Sequence, residues 1–497
     1  MGGNAMEAIK CEKLSFAYPQ SEYNALNNVS FSVEKGELCV VMGKSAAGKS
    51  TLLKLLKKEI APYGKLSGDI STFGRVGYVA QNVEESIVCN KVFSELAFSL
   101  ANEGKSEQEI ELAVAQSASY FNLESKLESE VSELSGGEKQ LLNLAAVMIN
   151  NPDILILDEP TSRLDPVSAM RFVDIIKKMH RDFSTTIIIA EQNADALFES
   201  ANSIMLIENG SLLIKAEPKS TVEYLKENNN ALIGAIPIQM RLYDNASTVA
   251  ECSEIFASKN INPISPQKAD LKTILELKNI YFAYEKGRDV LSNLSLDVYE
   301  GKINAILGAN ACGKTTLLKV IAGVYKPYRG KIKSKASISM LSQNVFDIFT
   351  KEKCADEVSF GELCDFLEIS DIAERHPYDL SGGQAQRLAL AKVLERNADI
   401  ILLDEPTNGL DCVLKDKLAQ LLKQLCEQGK TILIVSHDIE FISRYCDCAS
   451  FLSMGKIVAT KPRREFFSSL SLYTSTVAKI TKCDIVSIDD LKECGGI

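Results

Sequence analysis

Two short stretches, GKSAAGKS (43–50) and GANACGKT (308–315), each set two glycines five positions apart, ahead of a lysine and a hydroxyl residue. Glycines at that spacing let successive backbone amides converge on an anion. A following helix N-terminus adds its dipole, and the lysine neutralises phosphate oxygens. Each stretch follows an apolar run (LCVVM, INAIL) and precedes a helical one (TLLKLLKK, TLLKVIAG), the strand–loop–helix context that phosphate binding requires. The candidate phosphate ligands are therefore Gly43, Lys44, Ser45, Ala46, Ala47, Gly48, Lys49, Ser50 and Thr51 in the first loop. In the second they are Gly308, Ala309, Asn310, Ala311, Cys312, Gly313, Lys314, Thr315 and Thr316. Ser50 and Thr315 offer hydroxyls to Mg²⁺.

About 100 residues after each loop an apolar run ends in paired acids, ILILDE (154–159) and IILLDE (400–405). An acidic pair after a strand is ordinarily a solvated strand end. Placed after a phosphate loop, Asp158 and Asp404 are candidates to hold Mg²⁺ through its water shell, and Glu159 and Glu405 to orient or deprotonate an attacking water. A further pair of segments, TTIIIAEQNADAL (185–197) and TILIVSHDIEF (431–441), reads as a buried strand, a polar turn and a new helix. The turn carries Gln192 in one and His437 in the other. Glutamine donates a hydrogen bond but carries neither a proton nor a positive charge near pH 7.

The elements that position these residues are written twice, in the same order. LSFAYPQ (14–20) recurs as IYFAYEKG (280–287), VGYVAQNV (76–83) as ISMLSQNV (338–345), and ELSGGEKQLLNLAAVM (133–148) as DLSGGQAQRLALAKVL (379–394). Ser135 to Asp158 and Ser381 to Asp404 both span 23 positions, whereas Gln81 to Ser135 spans 54 and Gln343 to Ser381 only 38. The period of roughly 250 residues is domain-sized, so it marks duplication and fusion rather than a solenoid.

LSGGE (134–138) and LSGGQ (380–384), behind these phosphate loops and acid pairs, make each half resemble the nucleotide-binding domain of an ABC ATPase. The resemblance implies an α/β fold of two P-loop NTPase domains. Each would have a RecA-like, mostly parallel sheet core, an antiparallel β subdomain and a helical signature subdomain. It implies domains at 1–223 and 273–470, a linker at 224–272 and a C-terminal tail at 471–497. It also implies that ATP is held in an intramolecular head-to-tail sandwich. There Ser135, Gly136 and Gly137 serve the second domain's nucleotide, and Ser381, Gly382 and Gly383 the first domain's. Tyr18 and Tyr284 match the aromatic that stacks on adenine, and a core tyrosine is the rival reading. Gln81 and Gln343 match the glutamine that senses Mg²⁺ and signals to a membrane partner, and His437 matches the switch histidine at the γ-phosphate. The sandwich would make one site from Lys49, Asp158, Glu159, Gln192 and Ser381, and the other from Lys314, Asp404, Glu405, His437 and Ser135. The Gln192 site is expected to be the slower. Ala46 and Ala311 depart from the family in replacing a loop glycine, and Arg163 departs in standing where a small residue is usual.

NVEESIVCNKVFSELAFSLANEG after Gln81 resembles the energy-coupling factor (ECF) type of double ATPase. That type would imply a transmembrane coupling subunit and a substrate-binding membrane subunit for a vitamin or metal ion. A sugar-importer double ATPase is the nearer alternative, although such chains usually alter one signature. An F-subfamily translation factor is the alternative of another class, disfavoured because the segment between the repeats lacks a dense Lys/Arg stretch.

Composition agrees with a globular chain of this kind. With 46% hydrophobic and 24% charged residues and a net charge of −11, the 497 residues give no global case for nucleic-acid binding. No apolar run reaches the roughly 18 residues of a membrane span, and MGGNAMEAIKCEKL has no secretory core or myristoylation pattern. A cytoplasmic protein, peripheral on the inner face of the membrane, is the expectation. Thirteen scattered cysteines without paired spacing read as reduced thiols rather than a zinc site.

Overall fold

The computed structural model describes residues 6–19, 21, 23–192, 195–243, 246, 248–259 and 271–496. The start of the N-terminal stretch and most of KNINPISPQKAD, assigned above to the linker, lie outside the described residues. The chain divides into two compact units, Met1–Pro237 and Ile238–Ile497.

In the first unit, β1 (Glu7–Ala17) pairs antiparallel with β2 (Leu26–Glu34) and with β4 (Lys65–Thr72), in the order β2-β1-β4. The remaining strands are β3 (Leu38–Gly43), β5 (Val76–Val79), β6 (Ile154–Asp158), β7 (Thr186–Ala190), β8 (Ser203–Glu208) and β9 (Ser211–Ala216). They form a second sheet in the order β5-β6-β7-β3-β8-β9, parallel except for β9. Strands β3, β6 and β7 are buried at every position. That is why they read as unbroken apolar runs rather than alternating ones, since helices cover both faces of a parallel sheet.

Helix α1 (Lys49–Leu55) rises directly from the loop after β3. Three further helices, α2 (Val92–Asn102), α3 (Glu107–Tyr120) and α4 (Gly136–Met148), intervene between β5 and β6. Helix α3 opens with a Ser106–Glu109 capping box and α4 with a Ser135–Glu138 one, so each start is fixed by side chains that satisfy otherwise unpaired amides. Helix α5 (Pro166–Phe183) begins at Asp165, whose carboxylate accepts from the Val167 and Ser168 amides, with proline in the first turn.

The second unit repeats this plan. Strands β10 (Thr273–Ala283), β11 (Asp289–Tyr299) and β13 (Arg329–Lys333) form the antiparallel sheet. The larger sheet holds β12 (Ile303–Leu307), β14 (Ile338–Leu341), β15 (Ile400–Asp404), β16 (Thr431–Val435), β17 (Cys448–Ser453) and β18 (Lys456–Pro462), in the order β14-β15-β16-β12-β17-β18. The expected α/β fold with its three parts is thus present twice. The shorter insert after Gln343 has a structural counterpart: helices Cys354–Glu357 and Glu362–Phe366 stand where the first unit has α2 and α3.

The segment after Pro237 and the C-terminal tail fold together. Helices Ile238–Leu242 and Val249–Ala257 share a small core with Thr476–Thr481 and Ile488–Glu493, built on Cys252, Phe256, Val477, Ile480 and Leu491. Arg463 and Arg464 both reach the buried Asp490 carboxylate at 2.8 Å, which ties this core to the end of β18.

The loop between β3 and α1 depends on backbone that only glycine adopts without cost. Gly48 sits at φ +99°, and a Cβ there would lie 2.4 Å from the Ala25 carbonyl oxygen. Gly48→Ala should therefore destabilise the first unit by about 2–3 kcal/mol and abolish its nucleotide binding. Thermal melts with and without ATP check this, and a wild-type melting temperature with intact binding would contradict it.

Candidate functional site

Strand order places the two phosphate loops. In each larger sheet the phosphate-loop strand (β3, β12) lies beside the strand that leads to the Gln192 or His437 turn (β7, β16), with the acid-pair strand (β6, β15) one further out, so loop, acids and turn emerge together at the carboxyl edge. Lys49 Nζ donates to the Gly43 and Lys44 carbonyls at 2.9 and 3.0 Å, and Lys314 Nζ to Gly308 and Ala309 at 2.9 and 2.8 Å. Both lysines are buried, and their charges are held inside the loop rather than in solvent. Ala46 and Ala311 take φ values of +60° and +58°. This left-handed backbone explains why a glycine would be the easier residue at the position where these loops depart from the family.

Beside the first loop, Ser50 Oγ donates to Asp158 Oδ1 at 2.9 Å and the Tyr78 hydroxyl to Asp158 Oδ2 at 3.0 Å. Glu159 follows at φ +44°, and in the second unit Glu405 at φ +52°. A glutamate held in left-handed backbone is strained, and such strain persists where the surroundings over-determine the conformation. The surroundings here are the adjoining strand: Glu159 N donates to the Ala190 carbonyl at 2.9 Å and Glu405 N to that of Val435 at 2.8 Å.

The two glutamates have different neighbours. Glu159 accepts from Gln81 Nε2 at 2.9 Å and from Gln192 Nε2 at 3.0 and 3.1 Å, and lies 3.7 Å from Lys49 Nζ. Glu405 accepts the His437 amide at 3.1 Å, and the imidazole Nε2 lies 3.2 Å from its other oxygen. Burial raises the Glu159 carboxyl above the usual glutamate value against the pull of Lys49. Burial pushes Glu405 up to about 8, opposed by the His437 amide. Asp404 is also raised by burial, opposed by the Thr315 hydroxyl beside it and by Lys314, and neither of its oxygens has a hydrogen bond of normal geometry. Orphaned buried carboxylate oxygens beside a loop hydroxyl fit a hydrated cation.

The signature serines Ser135 and Ser381 are N-caps, with Gly136–Gly137 and Gly382–Gly383 forming the first turns behind them. The Tyr18 and Tyr284 hydroxyls meet Thr51 and Thr316 Oγ1 at 3.0 and 2.9 Å, and each ring packs edge-on against a phenylalanine. They remain 41% and 58% exposed, which leaves ring surface for a stacking partner. Gln343 is exposed and makes no hydrogen bond or ion pair among the described residues, unlike Gln81.

Glu191 escaped sequence reading. It is 3% exposed and accepts from the Thr161 amide and hydroxyl at 3.2 and 2.8 Å. In the second unit its place is taken by Ser436, whose hydroxyl meets that of Thr407 at 3.2 Å. The signal was present one position before Gln192, where the two copies read Glu-Gln and Ser-His.

A repeated phosphate loop, strand-end acids and helix-capping signature on a doubly wound sheet define a P-loop nucleotide hydrolase with two catalytic units. The ABC transporter family profile matches residues 26–162 and 291–408. A Bacillus cereus (strain ATCC 10987 / NRS 248) protein named "Putative ABC transporter ATP-binding protein" is 34% identical, over 95% of this chain and 94% of its own length. A Methanosarcina mazei protein of the same name is 29% identical over 93% and 90%. Among solved structures, one of archaeal ribosomal stalk protein aP1 in complex with ribosome recycling factor aABCE1 has a TM-score of 0.65 at 22% identity. It covers 92% of this chain and 91% of that one. The chain belongs to the ABC transporter ATP-binding family, and it is an ATPase with two ABC domains.

Burial pushes Glu191 up to about 8 from 4.5, helped by the neighbouring Glu159 and Asp158 charges and opposed by Thr161. Because the folded pKa is the higher one, the stabilisation is complete below pH 4.5 and is lost as the pH rises through about 8. Melting temperatures of the nucleotide-free protein should fall over that window, and Glu191→Gln should flatten the fall. An unchanged slope in the variant would contradict this assignment.

Proposed function

We propose that the chain is the ATP-hydrolysing energy-coupling subunit of an ABC importer, of ECF type, for a vitamin or metal ion. The observation that carries the transporter reading is the similarity, along 95% of the chain, to a protein named "Putative ABC transporter ATP-binding protein". The ECF type rests on the segment after Gln81, resembling that group. Its Glu95 is buried and accepts the Val88 and Cys89 amides at 3.0 and 2.7 Å, so the glutamate of the VFSELAF pattern sets the shape of the loop after Gln81. Glu357 holds the corresponding loop in the second unit through the Thr350 and Lys351 amides. Val88 and Phe98, 66% and 44% exposed, flank the first loop and offer apolar surface to a transmembrane coupling subunit. Among the described residues no helix is long and apolar enough to cross a membrane, so in this reading the spans belong to that subunit and to a substrate-binding one.

In the working cycle we assign, ATP lies on each phosphate loop and is completed by the signature of the other unit. Lys49 and Lys314 exchange loop carbonyls for phosphate oxygens. Glu159 and Glu405 orient the attacking water, and their raised proton affinity suits a base that accepts its proton. Ser50 with Asp158, and Thr315 with Asp404, are the pairs that would hold Mg²⁺, with Gln81 and Gln343 as further ligands. The ion would supply charge neutralisation on the phosphates. Gln192 can donate to a γ-phosphate but not carry charge to it, whereas His437 can do both. The Lys314–Glu405–His437 site is therefore the faster.

Steady-state ATPase assays of Glu405→Gln and Glu159→Gln test the asymmetry. The first should lower turnover about tenfold or more, the second less than about twofold; equal losses would refute it. Affinity purification from membranes tests the importer. Co-purification of small integral membrane proteins is expected, and co-sedimentation with ribosomes would overturn the reading in favour of a translation factor.

A further inference from the structure

The segment that carries Gln81 is tied down just after the glutamine by two side-chain contacts; the corresponding segment of the second unit lacks both and is held further along, where the Tyr378 hydroxyl donates to the Phe346 carbonyl at 3.3 Å and Lys392 Nζ to that of Ile348 at 2.7 Å. Asn82 Oδ1 accepts from Arg163 Nη1 at 3.1 Å, and Glu84 Oε1 accepts from Lys139 Nζ at 2.7 Å. Arg163 belongs to the loop after Glu159, and Lys139 to α4 just behind the signature. Immediately before these ties Gln81 Nε2 reaches Glu159 at 2.9 Å.

The second unit has Gly409 at the position of Arg163, Ala385 at that of Lys139 and Phe346 at that of Glu84. Neither tie can form there. Asn344, at the position of Asn82, makes local bonds alone: its amide donates to Asp347, as that of Asn82 does to Glu85, its Oδ1 accepts from the Phe346 amide at 3.3 Å, and its carbonyl accepts from Ser342 Oγ at 2.7 Å. Gln343 correspondingly makes no hydrogen bond among the described residues. Three differences in separate parts of the duplicated sequence thus leave the second unit without the same two contacts.

We propose that Arg163 and the Glu84–Lys139 pair are positioning residues that latch Gln81 onto Glu159, so that turnover at the first site waits on displacement of the glutamine segment. The Glu159 oxygens are filled by the amides of Gln81 and Gln192, and a carboxylate so engaged has less capacity to accept a proton from water. The latch acts on the chemical step, because none of its members lies on the phosphate loop. This inference deepens the first-site assignment above and rests on the reading that Glu159 acts on water there.

The test uses Glu405→Gln in the full chain, so that remaining turnover reports the first site. Arg163→Gly and Glu84→Ala, each exposed and each at a contact the second unit lacks, are added singly and together. The expected result is a rise in kcat of about threefold, the size that exposed polar ties deliver, with KM for ATP unchanged. Arg163→Lys should keep most of the latch, and Asn82→Ala combined with Arg163→Gly should add nothing to either alone. An unchanged kcat in the double variant, with the residual rate still abolished by Glu159→Gln, would overturn the latch and leave the first-site reading intact. A residual rate insensitive to Glu159→Gln would overturn the reading beneath it and the latch with it.

Discussion

The arrangement on which the rest depends is a buried charge cluster at the end of a parallel strand. In each unit a lysine, an aspartate and a glutamate are buried together at the strand end. Burying an unpaired charge is costly, and an incompletely paired cluster is retained only where something else rewards it. The lysine is parked on loop carbonyls, the glutamate's backbone is strained, and Asp404 has no hydrogen bond of normal geometry. A triphosphate with its cation would satisfy all three at once. The sheet exists to make the cluster possible: strands buried on both faces fix their ends rigidly, and the reversal of strand order opens a crevice there.

The two copies of the duplicated cluster differ around the glutamate. The differences gather around a single carboxylate rather than scattering. Gln192 stands opposite His437, Glu191 opposite Ser436, and Arg163, Lys139 and Glu84 opposite Gly409, Ala385 and Phe346. Arg163 and the Lys139–Glu84 pair make contacts that the second unit lacks, whereas Gln192 and Glu191 make contacts of a different kind from those of His437 and Ser436. Glu159 is consequently surrounded by amide donors, whereas Glu405 faces one backbone amide and an imidazole. A hydrolase with one engaged and one open glutamate has its two sites distinguished by hydrogen bonding, not by the phosphate loops, whose lysine geometry is nearly identical.

Much of this was legible in the sequence because phosphate binding leaves fixed spacing. Glycines at Gly43 and Gly48, lysine at Lys49 and acids after an apolar run are demanded by local backbone geometry, and local demands are written locally. The repeat made the two-unit fold readable, and fully buried strands announced themselves as unbroken apolar runs. What escaped was set by tertiary contact. Arg163 was visible as a departure, but its bond to Asn82 joins positions 81 residues apart. Tyr78 reaches Asp158 across 80 residues and Glu191 reaches Thr161 across 30. The tail at 471–497 carried no assignable pattern and the segment from Ile238 read only as linker, because each supplies half of a small core that exists when the two meet.

The most direct measurement is the magnesium dependence of ATP binding at the second loop, by calorimetry on Lys49→Ala. Asp404, with both oxygens lacking a hydrogen bond of normal geometry, is the carboxylate that awaits the cation. ATP affinity should therefore fall by about tenfold or more when EDTA replaces Mg²⁺, and Asp404→Asn should shrink that difference. Equal affinity in both conditions would show that the buried carboxylates do not need the cation, and would contradict the account.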